Sequence, residues 1–82
     1  MFINKSNSGR NNICGSHIAR LRKASGRSQR QLADLLQLEG LDVDKNAIQR
    51  MEAGKRFVTD IELSYLAKAL GISCMDLLEE IE

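Results

Sequence analysis

The segment 45–56 (KNAIQRMEAGKR) combines helical periodicity with many hydrogen-bond donors. Its apolar residues Ala47, Ile48 and Met51 form one narrow stripe on a helix of about two turns. The opposite face consists of donors that no core requires, namely Lys45, Asn46, Gln49 and Arg50. Burying such donors without partners would cost about 1–3 kcal/mol each, so this face is predicted to lie at the surface. There it either faces solvent alone or binds the acceptor groups of a polar partner.

The charge of the chain is divided unevenly around this donor face. Residues 17–56 carry nine basic and five acidic side chains, a net charge of +4, although the whole chain carries only +1. Residues 57–82 carry one basic and six acidic side chains, a net charge of −5. This division predicts a basic half that binds a polyanion and an acidic half turned away from it.

Five short helices, each marked by capping residues or glycines, must position the donor face. No segment alternates apolar and polar residues as a strand does, and the chain contains no proline. The predicted helix starts are Ser16, Ser28 with Gln31, Asp44, Thr59 with Glu62, and Ser73. The predicted helix ends are Gly26, Gly40, Gly54 and Gly71. The sequence therefore predicts an all-α fold in which each helix contributes one apolar stripe to a shared core.

The 82 residues suffice for one domain at most. Residues 1–12, which are rich in Asn, Ser and Gly, are predicted to form a flexible arm, and residues 13–82 the folded domain. Within the arm, Lys5 and Arg10 either touch a phosphate backbone or belong to a free tail.

Several classes of function are not expected. The sequence shows no apolar run long enough to span a membrane and no signal peptide, so we expect a cytoplasmic protein. Cys14 and Cys74 are predicted to be reduced thiols, and His17 a solvated ring. These three residues cannot supply the four ligands of a metal site, and no nucleophile has a base at a supporting spacing. We therefore expect no enzymatic activity, no metal and no cofactor.

Two neighbouring short helices, of which the second carries donors in its first turn, meet the physical requirements of a DNA-binding helix-turn-helix. In the major groove Asn46 can pair with adenine, and Lys45 and Arg50 with guanine. Gln29, at the start of the preceding helix, can contact a phosphate or merely contribute to the cap of that helix. Lys55 after the third helix can likewise contact phosphate or only complement the helix end.

The ordered motifs resemble the lambda-repressor-like helix-turn-helix domains of the Cro and XRE type. The resemblance covers about residues 14–78 and rests on IARLR from Ile18, Gly26, SQRQLADLL from Ser28, AIQRMEAGKR from Ala47, LAKALGIS from Leu66, and Leu77–Leu78. It implies a compact five-helix DNA-binding domain whose third helix reads bases. Relatives bear a structural ion pair at the positions of Arg22 and Glu52.

The resemblance also assigns DNA contacts to individual positions. The implied base-contacting residues are Lys45, Asn46, Gln49 and Arg50. The implied phosphate-contacting residues are Gln29, Lys55 and Arg56. Arg27 replaces the apolar residue that usually begins the second helix in relatives, and we expect it to face either phosphate or solvent. The alternative for the base-contacting set remains an ordinary solvated face.

The segment LLQLEGLDVD, within residues 35–44, is longer than in relatives by about four or five residues, according to the resemblance. It implies an extended second helix and an extended turn between the second and third helices. The exact pitch of the third helix depends on this turn.

We expect a sequence-specific transcriptional regulator that binds double-stranded DNA and acts as a repressor. Met75, Leu77, Leu78 and Ile81 of the last helix either close the core or form a two-fold interface. A homodimer, formed in solution or only on DNA, would match an inverted-repeat operator. The alternative is a protein-interaction module, such as an antitoxin that binds a partner protein through its C-terminal helices.

Overall fold

The computed structural model describes residues 9–79, and within them every regular element is a helix. The five helices are α1 (Gly15–Ala24), α2 (Gln29–Leu38), α3 (Lys45–Glu52), α4 (Asp60–Leu70) and α5 (Cys74–Leu78). The prediction of an all-α, five-helix fold is confirmed. Helices of this length are unstable alone in water, so packing against one another must hold them in place.

The polar caps predicted for the last four helices are present. The hydroxyls of Ser28, Thr59 and Ser73 each accept the N–H three residues later, and in each case the side chain at that position returns a bond to the cap. Asp44 accepts the N–H of Ala47 and so fixes the start of α3. The prediction for α1 was wrong, because the N-cap position is Cys14, two residues before Ser16, and Ser16 does not cap the helix.

The core lies where α3 packs against α1 and α2, and where α4 packs against α1, α2 and α5. Ile48 and Met51 of α3 are fully buried, as the narrow apolar stripe predicts. The other helices contribute Ile18, Leu32, Ala33, Leu36, Leu66, Ala67 and Leu77. Because α3 supplies only these two large apolar side chains, most of its remaining surface stays outside the core.

An extended turn connects α2 to α3, as predicted. It spans residues 39–44, six residues, where a helix-turn-helix usually has about three or four. Leu41 N–H donates to Leu36 O at 2.9 Å, and Gln37 Nε2 donates to Val43 O at 2.7 Å. Val43 is buried in the core. These contacts fix the long turn at both ends and thereby the position at which α3 begins.

Residues 10–12, which were expected to belong to a flexible arm, are attached to the C-terminal end of α3. Arg10 Nη2 donates to Glu52 O at 2.7 Å, and Asn12 Nδ2 donates to Met51 O at 3.0 Å. A helix end leaves carbonyl groups without intrahelical partners. Arg10 supplies a donor to Glu52 O, and Asn12 adds a donor to Met51 O, which also accepts the N–H of Gly54. We call residues 10–12 the N-terminal clasp. The rest of the predicted arm, residues 1–8 with Lys5, lies outside the described residues.

Two further features of α1 differ from expectation. Asn12 Oδ1 accepts the N–H of Gly15 at 2.8 Å, so Asn12 serves α1 as well as α3. Gly15 itself approaches α3 so closely that an added Cβ would lie 2.1 Å from Met51 O. His17 is buried rather than solvated, with Arg20 donating to Nδ1 and Nε2 donating to the carbonyl of Glu79.

Candidate nucleic-acid interface

The donor face of α3 is exposed along the whole helix. Its four predicted base-contacting residues lie at the surface: Lys45, Asn46, Gln49 and Arg50. None of the four side chains forms a hydrogen bond with another residue in the range 9–79. Ile48 and Met51 anchor the opposite side of the helix in the core. The arrangement leaves the four side chains available to a partner while the backbone that bears them is held in place.

A buried ion pair fastens α3 to α1. Arg22 Nε lies 2.7 Å from Glu52 Oε2, and Arg22 Nη2 lies 3.0 Å from Glu52 Oε1. Only 10% of the Arg22 side chain and 7% of the Glu52 side chain are exposed. The hydrogen bond that Arg22 donates to Glu52 raises the pKa of Arg22, against the opposing effect of burial. Arg22 also donates to Arg27 O at 2.7 Å, which joins the start of α2 to the pair.

Gln29 is placed differently from the phosphate-contacting role expected of it. Its side-chain amide Nε2 donates to Glu52 Oε1 at 3.0 Å. The carboxylate of α3 is thus an acceptor for this amide, and the phosphate contact expected of Gln29 stays a prediction. Gln29 extends the ion pair into a network that connects the first residue of α2 with α1 and α3. The main-chain N–H of Gln29, in the first turn of α2, and the second hydrogen of its Nε2 remain free to meet a phosphate.

Arg27 is half-buried against α4, where the sequence predicted a side chain that faces phosphate or solvent. Its Nη1 donates to Ala69 O at 3.3 Å, near the C-terminal end of α4. The partial negative charge at that helix end attracts the guanidinium, which accounts for this departure from the sequence expectation.

The turn after α3 separates the two basic residues that were expected to act together. Lys55 is exposed, and its side chain forms no bond within the described residues. Arg56 is half-buried and pairs with Glu62 of α4, with Nη2 2.8 Å from Oε2 and Nη1 3.0 Å from Oε1. Arg56 is thus already neutralised by a carboxylate, and Lys55 is the free cation of this turn.

Glu62 connects the turn to α4 and titrates abnormally. Burial would raise the pKa of Glu62, but hydrogen bonds from Arg56 and from the N–H of Thr59 outweigh it and lower that pKa. Because the folded-state pKa lies below the unfolded one, this carboxylate stabilises the fold above its unfolded pKa. That stabilisation is lost as pH falls through the folded pKa.

We expect Glu62→Gln to lower the free energy of unfolding by about 1–2 kcal/mol at neutral pH, because the charged hydrogen bond is lost. The difference from wild type should shrink at acidic pH, as pH falls below about 4 and then through the lowered pKa of Glu62. Urea unfolding followed by circular dichroism at both pH values measures this difference. A difference that does not change with pH would contradict the assigned role of Glu62.

Two main-chain donors lie next to Lys55. The N–H groups of Arg56 and Phe57 donate to no acceptor within residues 9–79. Phe57 is 54% exposed, so the backbone here is at the surface. An exposed cation beside two unpaired main-chain amides has the chemistry of a phosphate-binding turn.

Sequence reasoning missed two sets of contacts around this interface. The first is the N-terminal clasp. Its two adjacent asparagines are typical of a flexible tail, and only the structure reveals their acceptors on α3 and on the turn after it. The second is the Arg56–Glu62 pair, although the capping box had already placed Glu62 in the first turn of α4, near Arg56. Both sets are polar contacts that involve segments far apart in the sequence or without regular secondary structure. The periodicity of the sequence gives no signal for such contacts.

The fold and the exposed donor face define the class of protein: a helix-turn-helix domain that presents its recognition helix beside a basic turn. The sequence profile of a family described as "Helix-turn-helix domain" matches residues 14–80. The chain belongs to this helix-turn-helix family, and the predicted likeness to Cro and XRE regulators is confirmed.

Solved structures of regulators share the fold. The restriction-modification controller protein C.AhdI from Aeromonas hydrophila is 33% identical, with a TM-score of 0.68 over 78% of this chain and 89% of its own. The clp gene regulator ClgR from C. glutamicum is 25% identical, with a TM-score of 0.70 over 82% of this chain and 80% of its own.

The DNA-binding domain of BldD has a TM-score of 0.71 over 90% of this chain and 100% of its own. At 23% identity this last likeness concerns the fold alone. A comparison with curated protein sequences found no match. Among residues 9–79, no helix has the length and apolar character of a membrane span.

Proposed function

We propose that this DNA-binding transcriptional regulator reads an operator through the exposed face of α3 and acts as a repressor in the cytoplasm. The proposal rests on one observation: four donor side chains without a partner in residues 9–79 lie on a helix whose opposite face is anchored in the core. Asn46 is suited to adenine, and Lys45 and Arg50 to guanine, while Gln49 lies on the same exposed face. The proposed activity requires no catalytic residue, metal or cofactor.

Phosphate contacts in this proposal come from the turn after α3 and the start of α2. Lys55 provides the charge, and the N–H groups of Arg56 and Phe57 provide neighbouring donors. Gln29 contributes its main-chain N–H at the start of α2. The guanidiniums of Arg27 and Arg56 would have to leave protein acceptors to reach DNA, so we assign them a secondary part.

A homodimer through α5 fits the exposure of its side chains. Leu77 is fully buried in the core, whereas Met75 is 77% exposed and Leu78 is 45% exposed. Residues three apart on a helix share a face, so Met75 and Leu78 form an apolar pair directed away from the core. We propose that two copies associate through this face, in solution or on DNA, and bind an inverted repeat. Ile81, named with them in the sequence analysis, lies outside the described residues.

The same apolar pair also favours a second candidate, a protein partner bound through α5 as in an antitoxin. The two candidates predict different responses to salt. Contacts with phosphate release counterions, so log affinity falls with log salt at a slope of about −0.9 per neutralised phosphate. A largely apolar protein interface would be much less sensitive.

Binding of the full chain to fluorescent duplex DNA at a series of salt concentrations tests the proposal. We expect a steep linear decrease for wild type, and a slope shallower by about 0.9 for Lys55→Ala. Lys23→Ala is the matched control, since Lys23 is an equally exposed lysine on α1, outside the proposed interface. Absence of binding even at low salt would overturn the DNA-binding proposal and direct the search to a protein partner.

A further inference from the structure

The N-terminal clasp holds three consecutive carbonyl groups of the turn that follows α3. Asn11 N–H donates to Gly54 O at 2.8 Å, and Asn11 Nδ2 donates to Lys55 O at 3.0 Å. Asn12 Nδ2 donates to Arg56 O at 2.7 Å. The carbonyls of this turn are therefore directed towards the clasp.

Because of the geometry of the peptide bond, these carbonyl contacts also determine the direction of the neighbouring N–H groups. In a trans peptide the C=O of one residue and the N–H of the next point in opposite directions, and no cis bond occurs in residues 9–79. When Asn11 binds Lys55 O, the N–H of Arg56 is turned away from the clasp. When Asn12 binds Arg56 O, the N–H of Phe57 is turned away in the same manner. Neither of these two N–H groups has an acceptor within residues 9–79.

Gly54, which has no side chain, leaves room in the turn for the Arg10 side chain of the clasp. A Cβ added to Gly54 would lie 2.6 Å from the Arg10 guanidinium, and Gly54 has a left-handed φ of 76°. Arg10 packs over the turn in the place that a side chain would occupy, and its Nη2 binds Glu52 O. The Arg10 side chain of the clasp therefore packs directly against the turn.

We propose that the N-terminal clasp is a positioning element for DNA binding: Asn11 and Asn12 orient the amides of Arg56 and Phe57, together with Lys55, towards one DNA phosphate. The proposal rests on the function proposed above and adds residues that precede the matched family region, which begins at residue 14. Neither asparagine touches DNA in this account. Both act through the main chain of the turn.

Ethylation interference tests the proposal on a duplex that wild-type protein enriches from a random library. Ethylating a phosphate that the protein contacts removes the modified DNA from the bound fraction. We expect Asn12→Ala and Lys55→Ala to lose interference at the same phosphate and to bind about tenfold more weakly, the scale of one hydrogen bond to a charged group. The double variant should bind no more weakly than about the worse single variant, since both changes remove one contact.

Two further variants keep the result interpretable. Asn11→Ala removes only the exposed bond to Lys55 O and should lose the same interference signal if Asn12→Ala does not fold. Ser25→Ala removes a side-chain bond of 2.8 Å to a main-chain carbonyl, Arg22 O at the end of α1, and should keep the wild-type pattern. Folded clasp variants with the wild-type pattern would overturn the proposal. Failure of wild type to enrich or bind any duplex would instead overturn the proposed function itself.

Discussion

Replacing Glu52 with alanine should lower the free energy of unfolding by about 3–5 kcal/mol, because it leaves Arg22 buried without its counter-ion. A protein of this size has a total stability of about 4–12 kcal/mol, so the variant should be largely unfolded under mild denaturing conditions. The change also removes the acceptor of Gln29 and with it one hydrogen bond between α2 and α3. Urea unfolding followed by circular dichroism measures the loss.

A surface ion pair provides the matched control for this change. Glu39 lies 3.7 Å from Lys68, and the two side chains are 43% and 77% exposed. Glu39→Ala should therefore cost less than about 1 kcal/mol. Replacing the buried pair with apolar residues, Arg22→Met with Glu52→Leu, should recover much of the loss, since no unpaired charge is left behind. Equal losses for Glu52→Ala and Glu39→Ala would refute the locking role of the buried pair.

The second large effect is expected in binding and not in stability. Asn46→Ala combined with Arg50→Ala should weaken binding to the preferred duplex by about 30-fold or more, since each bidentate base contact contributes about 1–3 kcal/mol. Binding to unrelated duplexes should change less, because Lys55 and the main-chain phosphate donors remain. Fluorescence anisotropy with preferred and scrambled duplexes measures the ratio between the two affinities.

Both of these side chains are exposed and unpaired within the described residues, so the double variant should unfold at nearly the wild-type urea concentration. Arg30→Ala on the exposed side of α2 is a control for the loss of one positive charge outside the base-reading set. If the double variant retained the wild-type preference between duplexes, base recognition would have to come from other residues.

The fold was predictable because its signals are local. Ser28, Asp44, Thr59 and Ser73 each form a cap with a residue three positions later, a distance that the sequence itself displays. The apolar stripe of α3 likewise follows from the helical period. Ser16 misled because the N-terminal end of α1 is served by Asn12, an interaction for which the helix-start rules give no pattern.

The candidate site was predictable only in part. Exposure of the α3 donors follows from their having no place in a core, so Asn46 and Arg50 were identified from residue type and period. The partners of Arg56 and Gln29 depend on how α4 and α3 pack against neighbouring segments, and composition does not encode this. A count of basic residues in the sequence therefore gives too many free cations near the turn.

The central claim is that α3 reads DNA sequence, and selection from a random duplex library tests it most directly. Wild type and the Asn46→Ala/Arg50→Ala variant are carried through the same rounds, and the enriched duplexes are sequenced. We expect wild type to enrich an inverted repeat with half-sites about one helical turn apart, and the variant to lose it. Enrichment of the same repeat by both proteins, or of nothing by wild type at low salt, would contradict the claim.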